Sequence, residues 1–420
     1  MYTLTVKLKQ HTPLLHFQPE QYGATLRASE VKPKLDRFLL YKLGLEERIK
    51  GSVDDIIKGG KDKAKDNNWL VGKGEHPSFN YKMRIVPNSM PIIEQIQQRF
   101  PCFFANMGDG TEQKQFSYVN NGLTMTLSFP TPKEGRDRAV PPDLVEWISR
   151  DRKIAEFFFR YNFGTRGSKG FGSFYIDESD NLYVSPEKIC EKLKVYRFFV
   201  KSTDERTLFE EIELFYKFMR EGINYTNSRI PWNKRFYCKP LIWYYCKDVL
   251  GRGWEKKAIK TDLLQVDYNG DGAPDGQYYD VRDLFGLSSS ENWRSYRTTI
   301  SKEVKDIERM ASPIFFKPIM DDGKGFFVYM NVNTGVKAVG LNKLKDAGGI
   351  NISAQCGSIT LDMPKDFSMV KFLKYFFEGD NYHFFKTSPK DNKGLVDNGY
   401  SNSSTCRTIK RIYDEIRLQQ

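Results

Sequence analysis

The stretch Gly164-Thr165-Arg166-Gly167-Ser168-Lys169-Gly170-Phe171-Gly172 decides how the first half of this chain is interpreted. Four glycines lie within nine residues, and an arginine and a lysine stand between them. Glycine adopts positive φ at little cost and lets main-chain N–H groups approach a ligand closely. Arginine offers a planar fork to phosphate oxygens, and lysine offers a point charge. The pattern predicts a loop that lies against a phosphodiester backbone or, alternatively, a tight basic turn.

The order of elements around this glycine loop argues against a mononucleotide site. Residues 143–161 carry apolar side chains at helical spacing, and residues 173–176 are typical of a strand. A Walker loop needs a hydroxyl residue after its lysine, whereas Gly170 follows Lys169. A dinucleotide fingerprint follows a strand and opens a helix, which is the reverse of the order here. We therefore expect the loop beside the edge of a sheet.

Length and charge allow two domains and favour a polyanionic partner. A chain of 420 residues exceeds one small module, and its 40% hydrophobic and 14% aromatic content supports packed cores. The formal net charge of +12 favours nucleic acid as a partner. No run of about 18 apolar residues and no secretory signal is visible, so we expect no membrane segment and a cytoplasmic protein.

The first half shows alternating and helical patterns in a recognisable order. A helix is predicted to begin at Glu30, and residues 51–75, rich in Gly, Lys, Asp and Asn, are predicted to form a mobile surface insertion. The turn Asn120-Asn121-Gly122 predicts a hairpin between its two flanking strands. The predicted strands of this half are 2–9, 81–87, 116–119, 123–129 and 173–176.

The second half repeats this order. The predicted elements are strands at 194–200, 312–317 and 325–330, helices at 208–219 and 366–377, and a basic C-terminal helix with Arg407, Lys410, Arg411 and Arg417. Strand–helix–strand–strand–helix–strand, twice, is the ferredoxin-like arrangement. The sequence predicts an α+β protein with two ferredoxin-like (RRM-like) βαββαβ domains carrying helical and loop insertions. These are 1–190, ending in the glycine loop, and 191–420, with an insertion at about 225–310.

Several of these motifs together resemble the RAMP superfamily of CRISPR effector proteins. The N-terminal strand leads into Thr12-Pro13-Leu14, a basic helix follows, and the glycine loop closes the domain, as it does in that superfamily. Residues 311–319, followed by 325–328, are similar to a strand pair of type III-B (Cmr) subunits, with subunit one the most similar. The sequence departs from the subunit-one pattern between Pro19 and Asp36, so subunit six or another backbone RAMP subunit stays open.

The resemblance implies a non-catalytic RNA-binding subunit of a type III CRISPR ribonucleoprotein complex. Such a subunit grips guide RNA (crRNA) toward its 3′ region, helps capture target RNA and contacts other RAMP subunits. Family members hold RNA through glycine-loop amides, basic first-helix residues and stacked aromatic rings, and no cofactor is implied. The RNA-binding candidates here are Arg27, Lys32, Lys34, Arg37, Gly164, Arg166, Gly167, Ser168, Lys169, Gly170, Phe171 and Gly172, with Phe171 the candidate for base stacking.

Two other functions stay open. Related CRISPR nucleases use a histidine near the first helix without metal, so His16 could make this chain an endoribonuclease that processes precursor guide RNA. No second convincing member of such a catalytic site is recognisable. The other alternative is a protein-only scaffold whose basic charge meets acidic partners.

A metal site is only weakly indicated. Asp267, Asn269 and Asp271 fit the first half of a calcium-binding loop. The twelfth position of that loop, however, is Tyr278, where a bidentate glutamate is required. An acidic hairpin turn is the simpler interpretation, and no metal is predicted.

Overall fold

The protein divides into two compact units. Unit 1 comprises residues 1–209 and 315–336, and unit 2 comprises 210–314 and 337–420. The structure, a computed structural model, describes residues 2–15, 24–72, 78–96, 100–102, 115–130, 142–225, 236–266, 276–293, 296–332, 339–379 and 404–419. The predicted halves, 1–190 and 191–420, do not follow this division, because 315–336 pack in unit 1. Those halves stay a prediction about the order of elements along the chain.

The described residues form twenty strands and eleven α-helices, in an α+β arrangement. The first ten strands are β1 (Tyr2–Gln10), β2 (Leu14–Leu15), β3 (Leu70–Val71), β4 (Ser78–Phe79), β5 (Lys82–Pro87), β6 (Ile92–Gln95), β7 (Gln115–Tyr118), β8 (Leu123–Phe129), β9 (Phe174–Ile176) and β10 (Tyr196–Val200). The others are β11 (Ile223–Tyr225), β12 (Phe236–Cys238), β13 (Gly253–Trp254), β14 (Tyr278–Tyr279), β15 (Ser290–Trp293), β16 (Thr298–Glu303), β17 (Ile314–Asp321), β18 (Gly325–Val332), β19 (Gly349–Ala354) and β20 (Gly357–Asp362). The helices are α1 (Ala28–Glu46), α2 (Val53–Asp66), α3 (Pro142–Ser149), α4 (Lys153–Arg160), α5 (Pro186–Leu193), α6 (Glu205–Arg220), α7 (Leu241–Asp248), α8 (Glu255–Ala258), α9 (Val339–Asp346), α10 (Met369–Phe377) and α11 (Ser404–Arg417). None of these helices combines the length and hydropathy that a membrane span requires.

The main sheet of unit 1 has the strand order β5-β8-β1-β9, with antiparallel pairing throughout. Val6 of β1 lies opposite Met125 of β8, which lies opposite Ile85 of β5. Alternate residues of β8 are buried, as expected when one face of a sheet packs on helices. The buried face packs into one core with α1 and α4, where Leu35 and Phe157 are fully buried. The predicted strands 2–9 and 81–87 are confirmed.

A second sheet has the order β10-β18-β17, with β10 and β18 antiparallel. It confirms the strands predicted at 194–200, 312–317 and 325–330. Gly325 has φ of 145°, and a Cβ there would lie 2.1 Å from the Val200 oxygen. A glycine is therefore required where β18 enters the sheet beside the end of β10.

Unit 2 is built on a six-stranded sheet with the order β13-β14-β20-β19-β16-β15. A buried ion network lies in this unit: Arg282 binds Glu255 and Glu291, and the Lys302 Nζ lies 2.7 Å from an oxygen of Asp283. Buried charges are tolerated when they are paired in this way. Most of the predicted insertion at 225–310 thus supplies strands and ion pairs to unit 2.

The predicted hairpin around Asn120-Asn121-Gly122 is wrong. β7 pairs with β2 and β6, whereas β8 pairs with β1 and β5, so the turn joins two different sheets. Gly122 has φ of 67°, and a Cβ there would lie 2.4 Å from the Leu8 oxygen. Glycine is required here because the backbone of Gly122 lies close to β1, and not because the turn joins two paired strands.

The prediction that 51–75 forms a mobile insertion is wrong for most of its length, because residues 53–66 form α2. The Ser52 Oγ accepts a hydrogen bond from the Asp55 N–H, and the Asp55 carboxylate accepts one from the Ser52 N–H. This reciprocal cap satisfies two N–H groups that the first turn leaves unpaired. α2 then packs closely on α1: a Cβ at Gly60 would lie 2.0 Å from the Leu40 oxygen.

The helix predicted over 143–161 is interrupted. α3 ends at Ser149 and α4 begins at Lys153, with a short 3-10 turn between them. Asp151 and Arg152 have φ of 60° and 62°, in the left-handed region that a continuous helix excludes.

We expect Gly60→Ala to destabilise unit 1 by about 2 kcal/mol, because the added methyl group must push α1 and α2 apart. Gly59→Ala is the matched control, since both changes raise helix propensity by roughly 1 kcal/mol. At Gly59 the nearest atoms belong to the Ile49 side chain, which can change its rotamer. Urea denaturation of both variants measures the difference, and equal stabilities would contradict the packing argument.

Candidate nucleic-acid interface

The residues after β1 hold the C-terminal end of the glycine loop. The Thr12 hydroxyl donates to the Gly170 oxygen at 2.6 Å and accepts from the Ser173 N–H at 2.9 Å. The Gly172 N–H donates to the Pro13 oxygen at 2.8 Å. Thr12 and Pro13 therefore fix the position of this part of the loop.

The glycines of the loop allow close backbone packing. Gly164 has φ of 73°, and a Cβ there would lie 2.3 Å from the Leu15 oxygen. Gly172 has φ of 65°, and a Cβ there would lie 2.0 Å from the Phe163 oxygen. Any larger residue would separate the loop from its neighbours.

The amides that were expected to contact phosphate are partly used inside the protein. The Gly170 N–H donates to the Gly167 oxygen at 3.2 Å, and the Gly172 N–H donates to Pro13. Residues 165–169, which we name the loop rim, are half-buried, whereas 170–173 are buried. A ligand would meet the loop rim, in which the Lys169 Nζ and the Arg166 Nε are themselves buried.

The Phe171 ring was predicted to stack on a base, but it lies in the interior of the protein. It is 0% exposed and lies parallel to the Phe209 ring at a centroid distance of 4.0 Å, with an interplanar angle of 10°. The Phe116 ring lies 5.8 Å away on the same core. The ring is therefore a core residue that anchors the loop.

α1 reaches the glycine loop through its first turn. The Glu30 carboxylate accepts from the Gly164 N–H at 2.8 Å and from the Lys34 ammonium at 2.7 Å. The Lys34 Nζ also lies 5.1 Å from the centre of the Phe163 ring. Of the cations predicted on this helix, the structure thus brings Lys34 to the loop.

Lys32 takes part in a separate network. Its ammonium donates to Asp36 at 2.7 Å and to the Ser78 hydroxyl at 2.6 Å, and it lies 4.0 Å from the centre of the Tyr81 ring. The Tyr81 hydroxyl donates to the same carboxyl group at 2.6 Å. Burial, reinforced by the Asp36 charge, raises the pKa of Tyr81 well above its ordinary value. Lys32 therefore joins α1 to the segment around β4.

The other predicted cations lie in different surroundings. Arg37 is 49% exposed on α1 and lies 3.8 Å from Asp54 of α2. Arg27 precedes α1 and is half-buried. The Arg166 guanidinium donates to the Cys102 oxygen at 3.4 Å, and burial lowers its pKa.

Lys317 is the tether that sequence reasoning missed. Its buried ammonium donates to the Tyr161 oxygen at 3.0 Å, to the Asn162 side-chain oxygen at 3.1 Å and to the Phe174 oxygen at 2.7 Å. These acceptors stand on both sides of the glycine loop. Lys317 lies in the motif at 311–319, but nothing local in the sequence identifies acceptors some 150 residues earlier.

Asn162 extends this tether into the loop. Its side-chain amide donates to the Gly167 oxygen at 2.8 Å and to the Phe316 oxygen at 2.9 Å. The Ser173 hydroxyl donates to the Pro318 oxygen at 2.6 Å. Three successive residues of β17, Phe316, Lys317 and Pro318, therefore hydrogen-bond to residues that flank the loop.

His11 is a buried neutral histidine beside this tether. Its Nδ1 accepts a hydrogen bond from the Met320 N–H at 3.1 Å. Burial, followed by the Lys317 charge, lowers the pKa of His11 to about 3. The side chain is thus a structural acceptor.

Some predicted residues fall outside the described ranges. They are His16 and the candidate metal ligands Asp267, Asn269 and Asp271. Among the residues that the structure does describe, no group of three or more His, Cys, Asp or Glu side chains could hold a metal ion.

Comparison with known proteins gives matches along most of the chain. A family model described as the Cmr1 N-terminal domain matches residues 1–223, and one described as the Cmr1 C-terminal domain matches residues 237–397. No curated protein matches the sequence.

Solved structures give loose similarities. The crystal structure of apo Cmr1 from Pyrococcus furiosus is 11% identical, covers 80% of this chain and 89% of its own, and has a TM-score of 0.41. A cryo-EM structure of the type III-B Cmr-beta complex bound to cognate target RNA contains a chain that is also 11% identical. The match covers 82% of this chain and 98% of that one, with a TM-score of 0.33.

We expect Lys317→Met to destabilise unit 1 by about 3 kcal/mol, because the change leaves three buried oxygens without their donor. Lys324→Met in the turn after β17 is the matched control, because the Lys324 side chain is 74% exposed. Thermal and urea denaturation measure the loss. Similar stabilities of the two variants would show that the tether contributes little.

The buried His11 should make unit 1 less stable in acid. Its folded pKa of about 3 lies below the ordinary value of 6.5, so the unfolded chain binds the proton more readily and stability falls as pH drops below 6.5. Between pH 6.5 and 4.5 the loss is up to about 2–3 kcal/mol. We expect His11→Asn, which keeps an acceptor for the Met320 N–H, to show a flatter pH dependence of the denaturation midpoint. An unchanged slope would contradict this assignment.

Proposed function

The chain belongs to the Cmr1 family, and from this membership we propose that it is a non-catalytic RNA-binding subunit of a type III-B CRISPR ribonucleoprotein complex. It grips the guide RNA toward its 3′ region, assists capture of the target RNA and contacts other RAMP subunits in the cytoplasm. The observation that carries this proposal is the match of two successive Cmr1 domain models over residues 1–223 and 237–397.

The finer fold assignment, two ferredoxin-like domains, is part of the proposal. Counted along the chain, β1, β5, β8 and β9 are the first, second, third and fourth strands of the main sheet, and α1 follows the first. Across the sheet they lie in the order second, third, first, fourth. This is the order of a βαββαβ unit. The strands β10, β17 and β18 repeat second-third-first, with α6 after the first strand, which supports a second such unit.

The proposed RNA contact is the loop rim with its cations. Arg166 and Lys169 lie on the loop rim, and Lys34 is joined to the loop through Glu30. Because the backbone of the loop is fixed by its own hydrogen bonds, binding of a phosphate would not have to order the loop.

The test is RNA binding by the full-length chain with the loop-rim charges removed. We expect Arg166→Gln with Lys169→Gln to weaken binding of a fluorescent single-stranded guide RNA about tenfold near 100 mM salt. The slope of log K against log salt should fall by about 1.4, at roughly 0.7 for each lost phosphate contact.

The control removes two exposed charges elsewhere in unit 1, with Lys58→Gln and Lys188→Gln. Fluorescence anisotropy at several salt concentrations measures both pairs. If both pairs of substitutions weaken RNA binding equally, the effect comes from net charge and not from the loop rim. Failure of the unaltered chain to bind RNA at any salt concentration would favour a protein-only scaffold.

A further inference from the structure

Unit 2 contains a short segment that is rich in both cations and aromatic rings. Residues 239–260 include six cations and two acids. The cations are Lys239, Lys247, Arg252, Lys256, Lys257 and Lys260. The segment forms α7, β13, α8 and the residues next to them.

Two lysines share one indole ring in this segment. The Lys239 Nζ lies 5.0 Å and the Lys247 Nζ 5.2 Å from the centre of the Trp243 ring, so the two ammonium groups are no more than about 10 Å apart. Lys247 follows Trp243 by four residues and therefore lies on the same side of α7. The Lys239 Nζ also lies 5.8 Å from the Trp254 ring.

Half-buried rings extend this arrangement. The Tyr244 ring meets the Trp243 ring edge-on at 4.8 Å, and the Arg252 guanidinium lies 5.8 Å from the centre of the Tyr279 ring. Tyr244 and Tyr279 are both half-buried. We name Lys239, Tyr244, Lys247, Arg252 and Tyr279, together with the buried Trp243 and Trp254 rings beneath the lysines, the lysine–tryptophan surface.

The two acids of the segment lie in different surroundings. Glu255 is 0% exposed and binds Arg282 and the Val281 N–H within the ion network of unit 2. Burial raises the pKa of Asp248, and the charge of Lys247 acts in the opposite direction, so Asp248 offsets part of the Lys247 charge. Within the described ranges, the exposed Lys247 ammonium forms no salt bridge.

Cation–ring contacts alone would explain why the lysines lie over the indoles. They do not explain why like charges gather about one ring, since these repel each other. A polyanion would neutralise several of them together and release its counterions. A nucleic acid also has bases that pack on tyrosine rings, which an acidic peptide lacks, so the rings favour the nucleic acid.

We propose that the lysine–tryptophan surface is a binding site for single-stranded RNA, additional to the loop rim of unit 1. Lys239, Lys247 and Arg252 contact phosphates, and Tyr244 and Tyr279 pack against bases. The proposal rests on the proposed function in that it takes RNA as the ligand, but it assigns RNA to residues of unit 2 that the loop rim does not include.

The test uses the full-length chain, a labelled 12-nucleotide oligouridine and an abasic strand of the same length. We expect Lys239→Gln with Lys247→Gln to weaken oligouridine binding about tenfold and to lower the salt slope by about 1.4. The matched control is Lys305→Gln with Lys365→Gln, two exposed cations elsewhere in unit 2. Lys247→Gln alone should give about half the change in the salt slope. Because Lys247 is exposed, this single substitution is not expected to disturb folding, so it shows whether the double variant lost binding through misfolding.

Base contact is tested at Tyr244. We expect Tyr244→Ala to weaken oligouridine binding about fivefold and to leave the abasic strand unaffected, because only the former has bases to stack. Tyr244→Phe retains the ring and should bind oligouridine as the unaltered chain does. Equal losses for both strands would overturn the base contact.

The outcomes separate this proposal from the proposed function. If the unaltered chain binds RNA and only the loop-rim variants lose affinity, the lysine–tryptophan surface is not an RNA site and the proposed function stands. If the unaltered chain binds no RNA, both fail. If polyglutamate of equal charge displaces oligouridine equally well, and the lysine variants lose both ligands alike, the surface is an acidic-protein site and the assignment to RNA is overturned.

Discussion

The buried ammonium of Lys317 is the constraint on which the glycine loop depends. A charged group that is withdrawn from water must recover its lost hydration through hydrogen bonds. Lys317 does so with two main-chain oxygens and one side-chain oxygen, from Tyr161, Phe174 and Asn162. Since those residues flank the loop on both sides, satisfying one charge sets the separation of the two loop ends. The contacts of Thr12 and Glu30 then determine the path between them.

Glycine-rich loops are commonly interpreted as ligand-binding loops, but the glycines of this loop serve mainly to pack it closely against the protein. Gly164 and Gly172 are required because neighbouring carbonyl groups lie where their side chains would be. The inner residues of the loop, with Phe171, belong to the core, and only the half-buried positions 165–169 face a possible ligand. The cations at those positions are thus carried on a rigid support, which is what phosphate recognition by a few side chains needs.

Local signals in the sequence predicted the strands well, because alternation of buried and exposed side chains follows from the sheet itself. The pairing of β7 and β8 was mispredicted, because an Asn-Gly turn reports local conformation and not which sheet each strand joins. α2 was missed because its lysines and aspartates resemble a loop, while the glycine packing that stabilises it depends on α1. In the candidate site, Arg166 and Lys169 could be chosen from sequence. The roles of Lys34 through Glu30, of Phe171 in the core and of Lys317 could not, because each depends on residues far away in the chain.

The discontinuity of unit 1 has a consequence for how the chain matures on the ribosome. Its first 209 residues emerge long before 315–336, which complete the unit. Until then the oxygens of Tyr161, Asn162 and Phe174 lack the Lys317 ammonium, so the nascent loop has only its contacts with residues 1–209. The loop is therefore completed only after residues 210–314, the first segment of unit 2, have been synthesised. Until then, the earlier part of unit 1 must avoid aggregation.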